Sequence, residues 1–270
     1  MGTLETSLYS LRHVDELSSQ RTFIHQLDPR VKLITTFFFI VVVVSFNRYE
    51  ITGLFPFIFF PLFVAAGGNL PLKYFLKRLL HLSPFVLFVG IFNPIFDHSV
   101  VLKIGRIGIT GGWISFAGIL IRYCLTVSAL LLLVASTGFN PLCHALERLR
   151  IPGVFILQLM FVYRYIFVLV EESIRMIRAH NLRSFKRRAP AIRIFIPIIG
   201  TLLIRTLERA QSIHRGMLSR GFDGRIRLQR RLKFRSIDYV YLISWATVFI
   251  MLRFFNVSSI LGRVIIGVLQ

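Results

Sequence analysis

Residues 171–222 read EESIRMIRAHNLRSFKRRAPAIRIFIPIIGTLLIRTLERAQSIHRGMLSRGF, and this stretch repeats one pattern twice. An offset of 37 residues superposes Arg183 on Arg220. The same offset pairs three further identical residues: Glu171 with Glu208, Arg178 with Arg215, and Phe185 with Phe222. Four identities at one offset indicate two similar elements.

Apolar residues recur in each copy at steps of three and four, the spacing that places side chains on one face of a helix. The first copy has Ile166, Leu169, Ile174 and Ile177, and the second has Leu203, Leu207, Ala210, Ile213 and Met217. We therefore expect two amphipathic helices, over about 153–185 and 191–221.

Both copies end in similar short sequences, Leu182-Arg183-Ser184-Phe185 and Ser219-Arg220-Gly221-Phe222. Glycine just past the last helical turn is favoured because it adopts the left-handed conformation at little cost. Arginine in the last turn interacts with the negative end of the helix dipole, which contributes ~0.3–1 kcal/mol at an exposed site. The pattern predicts a guanidinium at each helix tip; the alternative is that these residues only cap the helices.

The composition is that of an integral membrane protein. Of 270 residues 55% are apolar, 27 are phenylalanine, and the mean hydropathy is positive. Such a chain is too apolar for an ordinary soluble domain. Its two cysteines, Cys124 and Cys143, form neither a metal-binding spacing nor a disulfide framework.

The positive charge is concentrated in one region. Lysine and arginine total 33 against 12 acidic residues, and residues 138–235 alone hold 20 basic and five acidic residues, a local net charge of +15. A basic block can bind nucleic acid, an anionic membrane surface or an acidic protein. We expect no nucleic acid, because the aromatic residues follow helical stripes rather than a nucleic-acid motif.

Five apolar segments predict about five transmembrane helices in an all-α membrane protein: 31–46, 51–66, 79–96, 113–137 and 239–252. Asp28 and Pro29 suit the N-cap and first position of the first helix. The first two segments are shorter than the ~20 residues that cross a bilayer, which indicates thin or tilted spans, or a re-entrant pair. Pro56 and Pro61 should kink the second.

Shorter elements are expected between these spans. Lys73, Lys77 and Arg78 suggest a short interfacial helix. Residues 97–112 suggest a loop, and residues 142–149 suggest a short helix.

Arg122 is the one charge inside the fourth span. An arginine within a membrane is costly and is a functional candidate by default; alternatively, it reaches a boundary or pairs with a neighbouring helix.

The segments divide the chain into four predicted parts: a cytoplasmic N-terminal segment 1–30, a four-span region 31–137, a basic cytoplasmic module 138–235, and a last transmembrane helix and tail 236–270. The positive-inside rule places the basic module and the N-terminus in the cytoplasm. The N-terminal segment carries acidic residues and no early apolar core, so we expect it to be retained rather than cleaved as a signal peptide.

The sequence lacks the motifs that mark several common activities. The chain has no phosphate-binding Gly-x-x-x-x-Gly-Lys-Ser/Thr loop, no His-Glu-x-x-His, no Cys-x-x-Cys and no Gly-x-Ser-x-Gly. The predicted spans hold no acidic residue, so the charged relay of a proton- or sodium-coupled carrier is missing. The residues themselves carry no signature of a catalytic, cofactor or metal site, which leaves a membrane scaffold with a helical cytoplasmic lever.

A partner that supplies movement would fit the two arginine tips. Arginine binds carboxylates in a bidentate geometry that lysine does not reproduce. The physical hypothesis is that Arg183 and Arg220 bind acidic grooves on two copies of a soluble motor protein. Closure of that motor would move the stiff helices and the membrane part with them.

Further motifs carry a family resemblance. They are Leu27-Asp28-Pro29-Arg30, Ala145-Leu146 through Leu149-Arg150-Ile151-Pro152, Tyr163-Arg164-Tyr165 with Glu171-Glu172 and Arg175-Met176, and the paired helix ends. From Leu27 to the last span, the chain resembles the transmembrane T component (EcfT) of energy-coupling factor (ECF) transporters, in its CbiQ-like cobalt/nickel branch. The helix ends depart from the family's Ala-Arg-Gly pattern, although both arginines are kept.

The resemblance implies one subunit of an ABC-type importer in the inner (plasma) membrane. Two ATP-binding-cassette ATPase subunits, which hold the ATP and magnesium, would dock on the tips of long crossed coupling helices. A substrate-capturing S component (CbiM/NikM-like) would bind Co²⁺, with Ni²⁺ close behind. The docking residues so implied are Arg178, Arg183, Ser184, Arg215, Arg220 and Gly221.

Two alternatives stay open, and a third lacks its residues. A T component for a vitamin or nickel importer shares the arginine pair. A basic, lipid-associated membrane scaffold without a motor partner belongs to a different class. A membrane enzyme would need a cluster of histidines or carboxylates at one membrane face, which the five acidic residues of the basic block do not form.

Overall fold

The computed structural model describes residues 18, 20, 22–47, 50–96, 100–104, 107–183, 191–224 and 234–254. Within these ranges the chain forms ten α-helices, one 3₁₀ helix and one two-stranded hairpin. The residues group into two compact units. Of the described residues, the membrane unit holds 18–142 and 234–254, and the paired-helix unit holds 143–224.

The elements follow one another in this order: α1 Phe23–Gln26, α2 Pro29–Val44, the 3₁₀ helix Thr52–Ile58, α3 Phe59–Gly67, α4 Leu72–Gly90, α5 Phe92–Phe96, β1 Val100–Ile104, β2 Ile107–Thr110, α6 Gly111–Thr137, α7 Phe139–Arg148, α8 Gly153–Arg183, α9 Ala191–Leu218 and α10 Ser236–Phe254. The predicted all-α membrane fold is confirmed. The predicted boundaries at 31, 138 and 236 stay a prediction, because the structure contains no membrane against which to place them.

Four helical stretches are long and apolar enough to cross a membrane within the described ranges: Phe75–Ile95, Gly111–Thr137, Gly153–His180 and Ser236–Phe254. The third belongs to α8, in the part of the chain that the sequence predicts to be cytoplasmic. Two shorter apolar stretches, α2 and Thr52–Gly67, accompany them. The second short stretch is not one α-helix, since the segment containing Pro56 winds as a 3₁₀ helix before α3 begins. Proline cannot donate the backbone hydrogen bond that a regular α-helix requires there.

Two expectations for the connecting elements need correction. The segment expected to be a loop contains an antiparallel hairpin in which Ile104 pairs with Ile107. Its strands are rich in β-branched residues, which favour extended structure. The interfacial helix continues without a break into the third predicted span as α4, which ends at Gly90, and the rest of that span forms α5. Pro84 leaves the Leu80 carbonyl without its usual donor, and the Ser83 hydroxyl donates to that carbonyl at 2.8 Å.

An aromatic core surrounds α2 in the membrane unit. The Phe39 ring is fully buried, and its centroid lies 4.6 Å from that of Phe60 and 5.4 Å from that of Phe249. Trp245 packs edge-on against Phe60, with ring centroids 5.0 Å apart. Such tilted and edge-on pairs stabilise a core beyond the burial of their area. The first and last spans are therefore packed together although some 200 residues separate them in sequence.

The start of α2 is held by a buried carboxylate from α10. Asp28 caps α2 as predicted, and its side chain accepts a hydrogen bond from the Arg30 amide at 2.9 Å. The Asp28 amide in turn donates to Asp238 Oδ1 at 3.0 Å. The second oxygen of Asp238 accepts from the Arg235 amide at 2.8 Å, the backward bond of a capping box. One carboxylate thus satisfies the first amides of two helices.

Lys32 joins the same end of α2 to α6. Its ammonium donates to the Ser136 carbonyl at 2.9 Å, and the side chains of Lys32, Asp28 and Asp238 are almost completely buried. A buried charge is tolerated when it is paired and hydrogen-bonded. The Lys32 ammonium has its hydrogen bond to Ser136, and the nearby carboxylates of Asp238 and Asp28 supply opposite charge.

Two arginines hold the other end of α2. Arg122 of α6 donates to the Asn47 carbonyl, and Arg253 of α10 donates to the Ser45 carbonyl at 3.1 Å. Arg253 also lies over the Phe46 ring, 4.3 Å from its centroid. These two carbonyls belong to the helix cap and to the turn that follows α2, so the guanidiniums bind the chain where it leaves the helix. Both ends of α2 are therefore tied to α6 and α10; we call these contacts the α2 clamp.

We predict that Asp238→Ala lowers the free energy of unfolding by on the order of 3–5 kcal/mol, because it removes two backbone acceptors and unbalances a buried charge. Thermal unfolding of the purified protein in detergent measures the change.

Glu50→Gln is the matched control. The Glu50 side chain is 57% exposed and lies 3.8 Å from Arg253, so its loss should cost about 1 kcal/mol or less. Equal effects of the two variants would contradict the role assigned to Asp238.

Paired helices with exposed arginine ends

An ion-pair network joins α8 and α9. Arg205 of α9 lies 2.6 Å from Glu172 Oε1, and Arg175 of α8 lies 2.9 Å from Glu172 Oε2. The Glu172 side chain is only 22% exposed, whereas both arginines are more than half exposed. Each carboxylate oxygen therefore has its own guanidinium partner, one within the helix and one across to the neighbour.

An apolar groove of about 380 Å³ lies between the two helices. On α8 its lining residues all precede Glu172: Leu157, Phe161, Tyr165, Val168 and Leu169. Beyond α8 they all follow Arg205: Thr206, Arg209, Ala210, Ile213, His214, Met217 and Phe222. The helices therefore run in opposite directions through their contact. We call this cavity the helix-pair groove.

The arginine tips consequently lie at opposite ends of the contact. At a rise of 1.5 Å per residue, Arg183 lies about 16 Å along α8 from Glu172, and Arg220 lies about 22 Å along α9 from Arg205. The two helices carry these tips away from each other. The fold thus separates the predicted docking arginines instead of bringing them together in one site.

The end of α9 has the geometry of a Schellman motif. Gly221 has a φ of +76°, the Phe222 amide donates to the Met217 carbonyl at 3.1 Å, and the Gly221 amide donates to the Leu218 carbonyl at 3.0 Å. Met217 and Phe222 also line the helix-pair groove, as the hydrophobic contact that accompanies this motif requires. The predicted capping role of Gly221 is confirmed.

Both tip arginines are exposed. Arg183 is the last residue of α8, and Arg220 lies immediately before the left-handed glycine. Neither guanidinium has an ion pair or a side-chain hydrogen bond to another described residue. Ser184 and Phe185, which complete the first copy of the repeat, lie outside the described residues. Both helix ends therefore carry an exposed arginine, and the structure describes the cap of the second end.

The other predicted site residues lie around the helices from the tips. Arg178 and Arg215 are exposed, and Arg215 donates to Gln211 Oε1 at 3.4 Å. Each lies five residues before its tip arginine, which corresponds to a rotation of about 140° around the helix. They add positive charge near the tips on different faces.

Arg122 belongs to the membrane unit, where its bond to the Asn47 carbonyl is part of the α2 clamp. This is the structural alternative raised for it, namely pairing with a neighbouring helix. Within the described ranges, no group of three His, Cys, Asp or Glu side chains could hold a metal ion.

Sequence reasoning missed two residues with defined positions. Asp238 follows Arg235 by three residues before an apolar run, which is the spacing of a capping box and could have been recognised. Arg205 carried no such signal, because its partner Glu172 is 33 residues away and the pairing depends on how α8 and α9 pack.

These features define a multi-pass helical membrane protein with a pair of long helices whose ends carry arginine. The chain matches the CbiQ family, described as "Cobalt transport protein", over residues 20–232. It therefore belongs to this family and is the transmembrane component of an ECF transporter, as its curated relatives also indicate.

Three relatives illustrate the similarity. The energy-coupling factor transporter transmembrane protein EcfT of Bacillus subtilis is 27% identical over 237 residues, covering 80% of this chain and 85% of the relative. EcfT of Ruminiclostridium cellulolyticum is 28% identical over 234 residues, covering 80% and 86%. Uncharacterized protein MJ1571 of Methanocaldococcus jannaschii is 29% identical over 239 residues, covering 82% and 78%.

We predict that Gly221→Ala destabilises the end of α9 by about 1–2 kcal/mol, because an L-residue is strained at this positive φ. Hydrogen exchange of the Gly221 and Phe222 amides, which close the helix, should become faster.

Gly216→Ala is the control in the same helix. No atom lies within 4 Å of the added methyl group, and Ala favours a helix over Gly by ~0.5–1 kcal/mol. This variant should slow the same exchange or leave it unchanged; faster exchange in both variants would contradict the assignment of the cap.

Proposed function

We propose that this chain is the coupling subunit of an ECF-type ABC importer for cobalt ions. It transmits the ATP-driven movement of two ATPase subunits to a separate membrane subunit that captures the substrate. The observation that carries the proposal is the pair of exposed arginines at opposite ends of two joined helices. ATP hydrolysis then belongs to the partner subunits, and this chain has no catalytic role.

The separation of the tips favours two partner molecules over one. Arg183 and Arg220 lie on opposite sides of the Glu172–Arg205 contact, about 16 and 22 Å along their helices from it. A single acidic pocket of ordinary size could not take both guanidiniums. Two copies of one ATPase could each bind one tip, and the near repetition of sequence around the two arginines suits two identical sockets.

The chemistry of the tips favours acidic sockets. Arginine places paired donors opposite the two oxygens of a carboxylate, and such charge-assisted bonds are stronger than neutral ones. Docking would also satisfy guanidiniums that have no described side-chain partner within the chain. The proposed arrangement places the arginine ends of this unit on the cytoplasmic side of the inner membrane, where ATP is available. The apolar stretch Gly153–His180 of α8 is long enough to lie in lipid.

Cobalt is the proposed substrate because the matching family carries the description "Cobalt transport protein". Nickel and vitamins are the competing substrates, since the EcfT relatives carry no substrate in their names. We propose that a CbiM/NikM-like S component supplies the specificity. The substrate would then bind that subunit and not this chain.

We predict that Arg183→Ala and Arg220→Ala each weaken retention of the ATPase subunits, by on the order of 2–5 kcal/mol for loss of a desolvated charge pair. Arg→Lys should restore binding only in part, because a point charge replaces a bidentate fork. Co-purification from membranes, with each ATPase subunit quantified, measures the effect.

Arg148→Ala is the matched control, because Arg148 is also an exposed arginine in the last turn of a helix. Its ATPase retention should equal that of the wild type. Normal assembly and transport by both tip variants would contradict docking and favour a scaffold without a motor partner.

A second experiment tests the substrate. Proteoliposomes that contain this chain, its ATPases and its co-purified S component should take up radioactive cobalt(II) when ATP is supplied on the cytoplasmic side. Excess unlabelled Ni²⁺ should compete partially. Uptake of a vitamin without any uptake of cobalt would assign the chain to the other branch.

A further inference from the structure

We propose that Glu172 and Arg205 are positioning residues: their ion pair sets the angle at which α8 and α9 cross and thereby the separation of the two arginine tips. This inference rests on the proposed function, because it assigns the pair a role in relaying movement between the tips. It concerns side chains that touch neither tip.

The first step is the location of the pair. Glu172 lies one helical turn or less beyond Leu169, the last α8 residue lining the helix-pair groove, and Arg205 directly precedes Thr206, the first on α9. The ion pair therefore closes one end of the groove. It joins the helices where the open space between them stops.

The second step is what fixes the crossing angle. Apolar cores hold helices rigidly when side chains interdigitate at high density. Here a groove of about 380 Å³ separates α8 from the later turns of α9, so close packing does not determine the angle along that length. The 2.6 Å contact between Arg205 and Glu172 supplies a directional constraint at the groove's end.

Arg175 further restricts the orientation of the Glu172 carboxylate. It occupies Glu172 Oε2 at 2.9 Å, which leaves Oε1 for Arg205 and limits rotation of the carboxylate. Surface ion pairs contribute little to stability, and Arg205 is 56% exposed. Loss of the pair should therefore leave the protein folded while it changes the geometry.

The last step is amplification. Arg183 and Arg220 lie about 16 and 22 Å from the pair along stiff helices, so a change of about 10° in crossing angle moves a tip by roughly 3–4 Å. That displacement exceeds the length of a hydrogen bond. An ion pair that fixes the crossing angle of α8 and α9 can therefore determine whether movement of one tip is transmitted to the rest of the protein.

The direct test measures the distance between the tips. In a chain with Cys124→Ala and Cys143→Ala, spin labels at Leu182→Cys and Ser219→Cys report the distance distribution in the assembled complex by pulsed electron paramagnetic resonance. Glu172→Ala should shift or broaden the distribution, and the charge swap of Glu172→Arg with Arg205→Glu should restore it towards wild type. Glu172→Arg alone should have the largest effect, since it places like charges together.

The functional test measures coupling. Mutations along a coupling element typically change coupling by roughly 2-fold to 30-fold. In reconstituted complexes, Glu172→Ala should lower ATP-dependent uptake of radioactive cobalt(II) per ATP hydrolysed within that range, with the ATPase subunits still bound. Glu172→Gln should be intermediate because it keeps an acceptor oxygen and loses the charge.

Two controls make the result decisive. Arg175→Ala keeps the bond between Glu172 and Arg205 and should change the label distance less than Glu172→Ala does. Glu208→Gln changes an exposed glutamate of α9 outside the ion pair and should leave the label distance unchanged. An unchanged distance in Glu172→Ala, or lost ATPase binding at an unchanged distance, would overturn the inference. Failure of the proposed function would show itself differently, as normal ATPase retention in the Arg183→Ala and Arg220→Ala variants.

Discussion

The Asp238 carboxylate accepts hydrogen bonds from the backbone at the starts of α2 and α10, and the membrane unit depends on this contact. The aromatic core around Phe39 requires α2 and α10 side by side, although they are the first and last long helices in the described chain. Apolar contacts in lipid provide little direction, since lipid tails are as apolar as the side chains. Polar bonds at both ends of α2 supply the direction, and Lys32 balances the buried acid.

The paired-helix unit uses charge for a different purpose. Glu172 is half-buried among guanidiniums and ties α8 to α9 over an open groove, whereas Arg183 and Arg220 remain exposed at the far ends. The paired-helix unit therefore combines an internal ion-pair network with arginines that stay exposed at its helix ends. Exposed basic helix ends are suited to binding partners that supply movement, which is the role proposed for this chain.

The repeat at an offset of 37 residues predicted both long helices and the glycine cap of the second, because periodicity and capping are local properties. Local rules also placed Asp28 and Pro29 at the start of α2. They could not foresee that α4 continues through Pro84, where Ser83 replaces the missing donor. Nor could they find that Arg205 contacts Glu172 or that Asp238 also binds the Asp28 amide, because contacts distant in sequence depend on how helices pack. The sequence predicted which arginines lie at the helix ends, but only the structure shows that the two helices carry them in opposite directions.

Site-specific photo-crosslinking at the two helix ends tests the central claim most directly. A photoreactive amino acid at position 182 and, separately, at position 219 would be activated in membranes that contain the complete transporter, and the adducts identified by mass spectrometry. The account predicts a covalent adduct with an ATPase subunit from each position. Adducts with lipid alone at either position, or with proteins on the outer side of the membrane, would contradict it.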